Sequence, residues 1–207
     1  IIINFLCPKG RKNLVQSVPV GIEGDILIAH ECQQSYFNST GICVAYCPKG
    51  SCSSSVIIRQ VEKTSFYSLQ VIVSPNSKLP ILLYNNGGSL KALYCNDVTC
   101  ATTAKTTVRN SGTNDIFAVT IDSNDTLHLA IADYEPMIFY IKYNMKNNYY
   151  RREKTNIELS TIYDIDIRLD PNTTLPVIST IQDSVQIITC ADINCYAWNI
   201  LQQYGSP

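Results

Sequence analysis

Hydrophobic and polar residues alternate along most of the chain with a period of two, which is the pattern of β-strands. The stretches "DIFAVTID", "TLHLAIAD" and "MIFYIKYN" are short apolar or alternating runs rich in Ile, Val, Phe, Tyr and Thr. Residues that favour turns (Asn, Asp, Gly, Pro and Ser) separate these runs. No amphipathic helical pattern of useful length appears in the sequence. The pattern therefore predicts an all-β protein.

The strands recur in a repeat of about 48 residues. Two sets of residues stand at steps of 48: the first is Asn76, Asn124 and Asn172, and the second is Leu79, Leu127 and Leu175. Each repeat holds four strands of decreasing apolarity, and a polar run such as "YYRREKT" closes the unit. This arrangement is typical of a blade of a β-propeller, a four-stranded antiparallel sheet. We expect the first strand of each blade to be the inner one and to be buried on both faces.

We predict a single β-propeller over residues 1–207, with about four blades and a partial N-terminal blade. The predicted units are a partial blade (1–16), an irregular blade (17–64) and three regular blades (65–112, 113–159 and 160–207). In the irregular blade "VPVGI" is the predicted first strand, and a register in which "ILIAHEC" comes first is the alternative. The opening "IIINFLC" is too short to span a membrane. Since it also lacks signal-peptide features, we expect a mature or truncated piece of a longer chain.

Three pairs of cysteines lie five positions apart, each at the predicted turn between the third and fourth strands of a blade. Facing residues of an antiparallel pair bring their Cα atoms to about 4.5–5.5 Å, which is within reach of a disulfide. The predicted bonds are Cys47–Cys52, Cys95–Cys100 and Cys190–Cys195. One repeat has Tyr143 and Asn148 at these positions, so both partners are absent together. By elimination Cys32 and Cys43 form a fourth bond, and Cys7 is left without a predicted partner.

A zinc site is the alternative use of these cysteines. Zinc sites built from four cysteines usually have two residues between paired ligands, whereas four residues separate them here. The spacing therefore favours disulfides. We predict no metal and no cofactor.

Composition and charge narrow the class of protein further. The chain is 45% hydrophobic, enough for a core, and its 16 basic and 17 acidic residues give a net charge of -1. This balance predicts no nucleic-acid partner, and we also expect no membrane span. Sequons at Asn38, Asn124 and Asn172 predict N-linked glycans. Together with nine cysteines they predict an extracellular or secreted glycoprotein.

Few residues stand out as candidates for catalysis. The two histidines, His30 and His128, lie in predicted second strands, where we interpret them as structural side chains. The common signatures of hydrolases, metalloproteases and nucleotide-binding proteins are absent from the sequence. The sequence therefore predicts no enzyme active site.

One polar pattern is a candidate site. The run "YDIDIRLD" alternates so that its charged residues share one face of a predicted inner strand. One interpretation is a self-neutralising ladder in which Arg168 pairs with a neighbouring carboxylate. The other is an axial cation or ligand site formed by Asp164, Asp166 and Asp170.

The hairpins "CNDVTC" and "CADINC" resemble those of secreted β-propeller repeat proteins. The resemblance covers nearly the whole chain and implies an architecture rather than an activity. We expect a non-enzymatic extracellular glycoprotein that serves as a structural scaffold or binding module. Its expected partners are other protein chains, including copies of itself joined head to tail in a filament or larger assembly. The alternative is a carbohydrate-binding (lectin-like) or glycoside-active propeller.

Overall fold

The residues that the structure describes form sixteen β-strands. A computed structural model describes residues 15–21, 23–32, 41–50, 52, 56–87, 89–110, 116–132, 137–144, 149–158, 162–181, 184–192 and 194–204. The strands form four sheets, each of four consecutive strands in antiparallel order. A 3-10 turn over Pro48–Gly50 interrupts this series. The predicted all-β class and four-stranded propeller blades are confirmed.

The first compact unit spans residues 1–112 and holds two sheets. The first sheet consists of β1 (Val15–Val20), β2 (Asp25–Cys32), β3 (Gly41–Cys47) and β4 (Ile57–Glu62). The second consists of β5 (Ser68–Val73), β6 (Pro80–Asn85), β7 (Ser89–Cys95) and β8 (Thr103–Asn110). The leading strands β1 and β5 contact each other, as inner strands of neighbouring blades do. Leu27 and Ala29 of the first sheet share a core with Leu82 and Tyr84 of the second.

The second compact unit spans residues 113–207 and also holds two sheets. The third sheet consists of β9 (Ile116–Ile121), β10 (Thr126–Ala132), β11 (Met137–Asn144) and β12 (Tyr149–Glu158). The fourth consists of β13 (Asp164–Leu169), β14 (Pro176–Ile181), β15 (Val185–Cys190) and β16 (Trp198–Tyr204). Here β9 contacts β13, and Ala130 and Tyr140 share a core with Ile165, Ile178 and Trp198.

The structure decides between the two registers of the irregular blade. The strand Val15–Val20 pairs with Asp25–Cys32, and the latter pairs on its other side with Gly41–Cys47. The segment "ILIAHEC" is therefore the second strand, and the alternative register is wrong. Most of the predicted partial blade 1–16 lies outside the described residues, as do Cys7 and Asn38.

The expectation that the first strand of a blade is buried on both faces is wrong. Every residue of β6 and β10, both second strands, is buried. By contrast, β13 alternates between exposed and buried residues. A second strand has strands on both sides within its sheet, whereas a first strand has a sheet neighbour on one side only. Burial is therefore greatest at the second strand in the second and third sheets, and at the third strand, β3, in the first sheet.

The turns between first and second strands show that the repeat is not strictly 48 residues long. The amides of Ser74 and Asp170 donate to the carbonyls of Leu79 and Leu175, five residues on. In the third sheet the amide of Asp122 donates to the carbonyl of Thr126, only four residues on. Thr126, rather than Leu127, is thus the counterpart of Leu79 and Leu175.

Four disulfides close the predicted cysteine pairs. Cys47–Cys52, Cys95–Cys100 and Cys190–Cys195 have Cα atoms 4.8, 4.6 and 5.0 Å apart, and Cys32–Cys43 has them 5.3 Å apart. The predicted disulfide-stapled fold is confirmed. Within the described ranges, no helix has the length and apolarity needed to traverse a lipid bilayer.

Candidate functional site

The charged face predicted from "YDIDIRLD" lies on β13. Asp164, Asp166 and Arg168 are exposed, while Ile165 and Ile167 point into the core of the second unit. The Nε of Arg168 donates to Oδ2 of Asp166 at 3.0 Å. Both side chains of this pair are more than half exposed, so water weakens their attraction. We call Asp164, Asp166 and Arg168 the β13 strip.

Asp170 has a different role from the β13 strip. Its Oδ1 accepts hydrogen bonds from the amides of Asn172 and Thr173, at 2.8 and 2.9 Å. These bonds hold the turn into β14 and lower the pKa of the Asp170 carboxyl. Asp170 therefore serves the turn rather than a shared site with Asp164 and Asp166.

The structure gives no ligand cluster for the predicted axial cation. Among the residues described, no group of three His, Cys, Asp or Glu side chains is placed to hold a metal ion. The Asp166–Arg168 pair follows the other interpretation, a self-neutralising ladder. The axial site at Asp164, Asp166 and Asp170 stays a prediction without structural support.

Two tyrosines are displayed at the same position of two sheets. Tyr67 and Tyr163 each precede the first strand of a sheet, and their side chains are 50% and 64% exposed. The amide of Tyr67 donates to the carbonyl of Asn85, and that of Tyr163 to the carbonyl of Ile181, both at 2.8 Å. The sequence analysis missed this pair, although the tyrosines stand two repeat lengths apart.

A buried polar chain links Asp122, His128 and Tyr140 in the third sheet. Nε2 of His128 lies 3.3 Å from Oδ2 of Asp122, and Nδ1 lies 2.6 Å from the hydroxyl of Tyr140. A carboxylate only accepts, so Nε2 carries the proton and Nδ1 accepts from Tyr140. The Tyr140 ring packs edge-on against Trp198 at 5.2 Å between ring centroids. His128 and Tyr140 are buried, and the structural role expected of His128 stays a prediction.

Burial and hydrogen bonds set the charges of this chain. Burial lowers the pKa of His128, and the bond to Asp122 offsets only part of that effect. Burial alone would raise the pKa of Asp122. The amides of Thr126 and Asn124 and the His128 bond outweigh it and lower the pKa. A neutral imidazole therefore faces an ionised carboxylate at neutral pH.

The disulfide hairpins of the second and fourth sheets are built around an aspartate. Oδ1 of Asp97 accepts from the amide of Thr99 at 2.8 Å, and Oδ1 of Asp192 accepts from the amide of Asn194 at 2.8 Å. The second cysteine of each hairpin, Cys100 or Cys195, adopts a left-handed conformation with φ of 52° or 57°. The aspartate in "CNDVTC" and "CADINC" thus has a turn-forming role.

Two predicted glycosylation sites lie on exposed turns. Asn124 and Asn172 are exposed, and their amides donate to Asp122 and Asp170, the aspartates that begin the turns. Turn chemistry accounts for an asparagine at both positions. N-linked glycans at these asparagines stay a prediction.

Comparison with known proteins shows likeness in structure without likeness in sequence. No protein-family model matches the chain, and no curated protein matches it. A GH62 hydrolase solved in complex with xylotriose matches with a TM-score of 0.59 and 13% identity, over 91% of this chain and 68% of that one. The catalytic domain of a GH62 alpha-L-arabinofuranosidase from Coprinopsis cinerea matches with a TM-score of 0.56 and 15% identity, over 94% of this chain and 70% of that one. An alpha-L-arabinofuranosidase from Podospora anserina, in complex with cellotriose, matches with a TM-score of 0.58 and 13% identity, over 96% of this chain and 68% of that one.

These neighbours contradict the predicted scaffold function and the prediction that the chain is not an enzyme. At 13–15% identity the likeness establishes a shared fold. The three neighbours are glycoside hydrolases, and none of them is a structural or filament protein. Linear motifs do not reveal such a site, because a propeller can assemble it from residues on separate strands.

Proposed function

We propose that the chain is a glycoside-active propeller that acts on arabinose-substituted polysaccharides. The observation that carries the proposal is the structural match to glycoside hydrolases over 91–96% of the chain. Two of those proteins are alpha-L-arabinofuranosidases, and two were solved with an oligosaccharide. The likeness in fold supports a related class of substrate for this chain.

The β13 strip offers the functional groups that such chemistry uses. Most glycoside hydrolases use two carboxyl groups, one as an acid and one as a base or nucleophile. Asp164 and Asp166 share one face of a strand, two residues apart, so their Cα atoms are separated by roughly 7 Å. Asp164 and Asp166 are therefore the candidate pair of carboxyl groups, and Arg168 donates to Asp166.

Carbohydrate binding without hydrolysis is the second candidate function. The acid of a glycoside hydrolase needs a raised pKa. In the described residues, each aspartate with a resolved shift has a lowered pKa; these are Asp25, Asp97, Asp122, Asp170 and Asp192. None of these five aspartates therefore suits the role of the acid, and the exposed rings of Tyr67 and Tyr163 support carbohydrate binding as the second candidate.

The four disulfides support a site of action outside the cell. Disulfides persist in oxidising compartments and are rare in the cytosol. Extracellular polysaccharide is an accessible substrate there. We include N-linked glycans on Asn124 and Asn172 in this proposal.

Release of arabinose from arabinoxylan tests the proposed activity. The wild-type protein should release arabinose, and Asp164→Asn and Asp166→Asn should each reduce the rate at least about 100-fold, because each removes an acid or base. Glu23→Gln is the matched control, since it makes the same change at an exposed carboxyl outside the strip. Anion-exchange chromatography of the products measures release, and thermal unfolding checks that the variants fold.

The outcomes separate the two candidate functions. Release that is lost in the strip variants but kept in Glu23→Gln supports hydrolysis at the β13 strip. Retardation of the protein in an arabinoxylan gel, with no sugar released, supports binding alone. If the protein releases no arabinose and is not retarded in the gel, both candidates are contradicted.

A further inference from the structure

Tyr67 and Tyr163 repeat one arrangement in two different sheets. In each case an apolar residue packs in the core, and the tyrosine that follows it is exposed to solvent. Phe66 is 1% exposed, and Ile162 packs against the core of the second unit. Single exposed apolar residues are common on protein surfaces and need no explanation. An exposed ring that recurs at the same position of two sheets does need an explanation.

Hydrogen bonds hold the backbone of both tyrosines in place. Each tyrosine donates its amide to the last residue of the neighbouring second strand, Asn85 or Ile181, at 2.8 Å. The anchor residue before it and the strand after it fix the remaining backbone. A tyrosine on an ordered backbone has only two side-chain torsions to fix, so it loses little conformational entropy when a ligand packs on its ring. The arrangement thus suits a recognition role.

A polar side chain follows each ring directly. Ser68 follows Tyr67, but its Oγ is buried and so is not accessible to a ligand at the surface. Asp164 follows Tyr163 and is exposed, and Ile181, which pairs with Asp164 across the sheet, is also exposed. The Tyr163 site therefore combines a flat apolar face with a group that can bond a hydroxyl, and the Tyr67 site offers the apolar face.

We propose that Tyr67 and Tyr163 are stacking platforms for the sugar rings of a neutral polysaccharide. This inference rests on the proposed function and adds the chemistry of the ligand. One face of a sugar ring carries C–H groups, whose positive edges pack on the electron-rich face of an aromatic ring. At Tyr163 the adjacent Asp164 would then bond the ring hydroxyls.

The charges beside Tyr163 indicate a neutral ligand. Asp166 is paired with Arg168, whereas Asp164 adds a carboxylate next to the tyrosine. A polysaccharide with a carboxylate on each sugar would be repelled there, since like charges at close range disfavour binding. Neutral hydroxyls, by contrast, donate hydrogen bonds to Asp164.

Binding to arabinoxylan and to polygalacturonate, measured by affinity electrophoresis and titration calorimetry, tests the inference. Tyr67→Ala and Tyr163→Ala should each weaken arabinoxylan binding roughly three- to tenfold, the effect expected for one aromatic contact. Tyr67→Phe and Tyr163→Phe keep the ring and should bind like the wild type. Polygalacturonate should bind at least tenfold more weakly than arabinoxylan.

Tyr196→Ala is the matched control, because Tyr196 is 66% exposed but lies in the disulfide hairpin of the fourth sheet. It should leave binding unchanged. If the wild type binds arabinoxylan and both alanine variants bind equally well, this inference is overturned while the proposed function stands. If the wild type neither binds nor hydrolyses arabinoxylan, both are overturned. Equal affinity for polygalacturonate would overturn the neutral-ligand part.

Discussion

The imidazole of His128 lies between a carboxylate and a phenol, and its two contacts suit a neutral ring. Nε2 donates to Asp122 while Nδ1 accepts from Tyr140. Protonation at Nδ1 would turn that acceptor into a donor in a buried place, where the Tyr140 hydroxyl would have to reorient. The other histidine, His30, also has a pKa lowered by burial, although its Nδ1 bond to the Glu31 carbonyl favours the charged form.

Stability should fall as the pH is lowered from 7 to 5. The unfolded chain takes up protons on histidine near the usual pKa of 6.5, before the folded chain does, because burial lowers the pKa of His128 and His30. The stability that the two neutral histidines contribute is fully present above about pH 6.5. It is lost as the pH falls toward their lowered pKa values in the folded chain. Urea unfolding across this pH range measures the effect.

Histidine variants separate the two contributions. His128→Gln should reduce the pH dependence between 7 and 5, and the part that remains reports His30. Asp122 does not interfere, because its pKa is lowered from 3.8 and it titrates below this window. A wild-type urea midpoint that is constant from pH 7 to 5 would contradict the assignment.

Some residue roles could be predicted from the sequence and others could not. The alternation of "YDIDIRLD" placed Asp164, Asp166 and Arg168 on one exposed face, as the structure has them. The Tyr140 contact of His128 depends on the register of β10 against β11. No linear pattern encodes that contact, since the two residues stand on different strands.

At the level of elements, the hairpin between the third and fourth strands shows what a disulfide contributes. The second and fourth sheets close this hairpin with Cys95–Cys100 and Cys190–Cys195. The third sheet has a buried Tyr143 on β11 in the corresponding place and still pairs β11 with β12. The bond therefore stabilises the hairpin without being required for strand pairing.

Removal of one hairpin disulfide should cost a modest amount of stability. The double variant Cys95→Ala, Cys100→Ala should lose about 2 kcal/mol, the loop entropy of so small a ring. Removing Cys32 and Cys43, separated by 11 residues, should cost about 3 kcal/mol because the loop is longer. Alanine is preferred to serine since these cysteines are buried. Equal losses, measured by urea unfolding, would contradict the loop-length account.

At the level of the whole molecule, the disulfides contribute a large share of the net stability. Each bond is worth about 2–3 kcal/mol, and the net stability of a folded domain is typically about 5–15 kcal/mol. The four bonds are spread over the first, second and fourth sheets. Their loss would therefore weaken both compact units.

Reduction should lower the melting temperature by more than about 10 °C. The expected loss of stability is several kcal/mol, and about 1 kcal/mol shifts the midpoint of a domain of this size by about 2–4 °C. Circular dichroism melts with and without a phosphine reductant measure the shift, and mass spectrometry confirms that the bonds are open. An unchanged melting temperature in the fully reduced protein would show that the bonds are dispensable for the fold.

The sequence by itself determined the strands, the four-stranded repeat and the disulfide pairs. These features depend on local physics: a period of two, turn residues at its ends and cysteines facing each other across a hairpin. Only the tertiary structure decided which strands are buried on both faces, how long each turn is and where His128 finds its partners. Those properties depend on what packs against each strand. The resemblance to glycoside hydrolases likewise became visible only in three dimensions, because a fold can persist when just 13–15% of residues are identical.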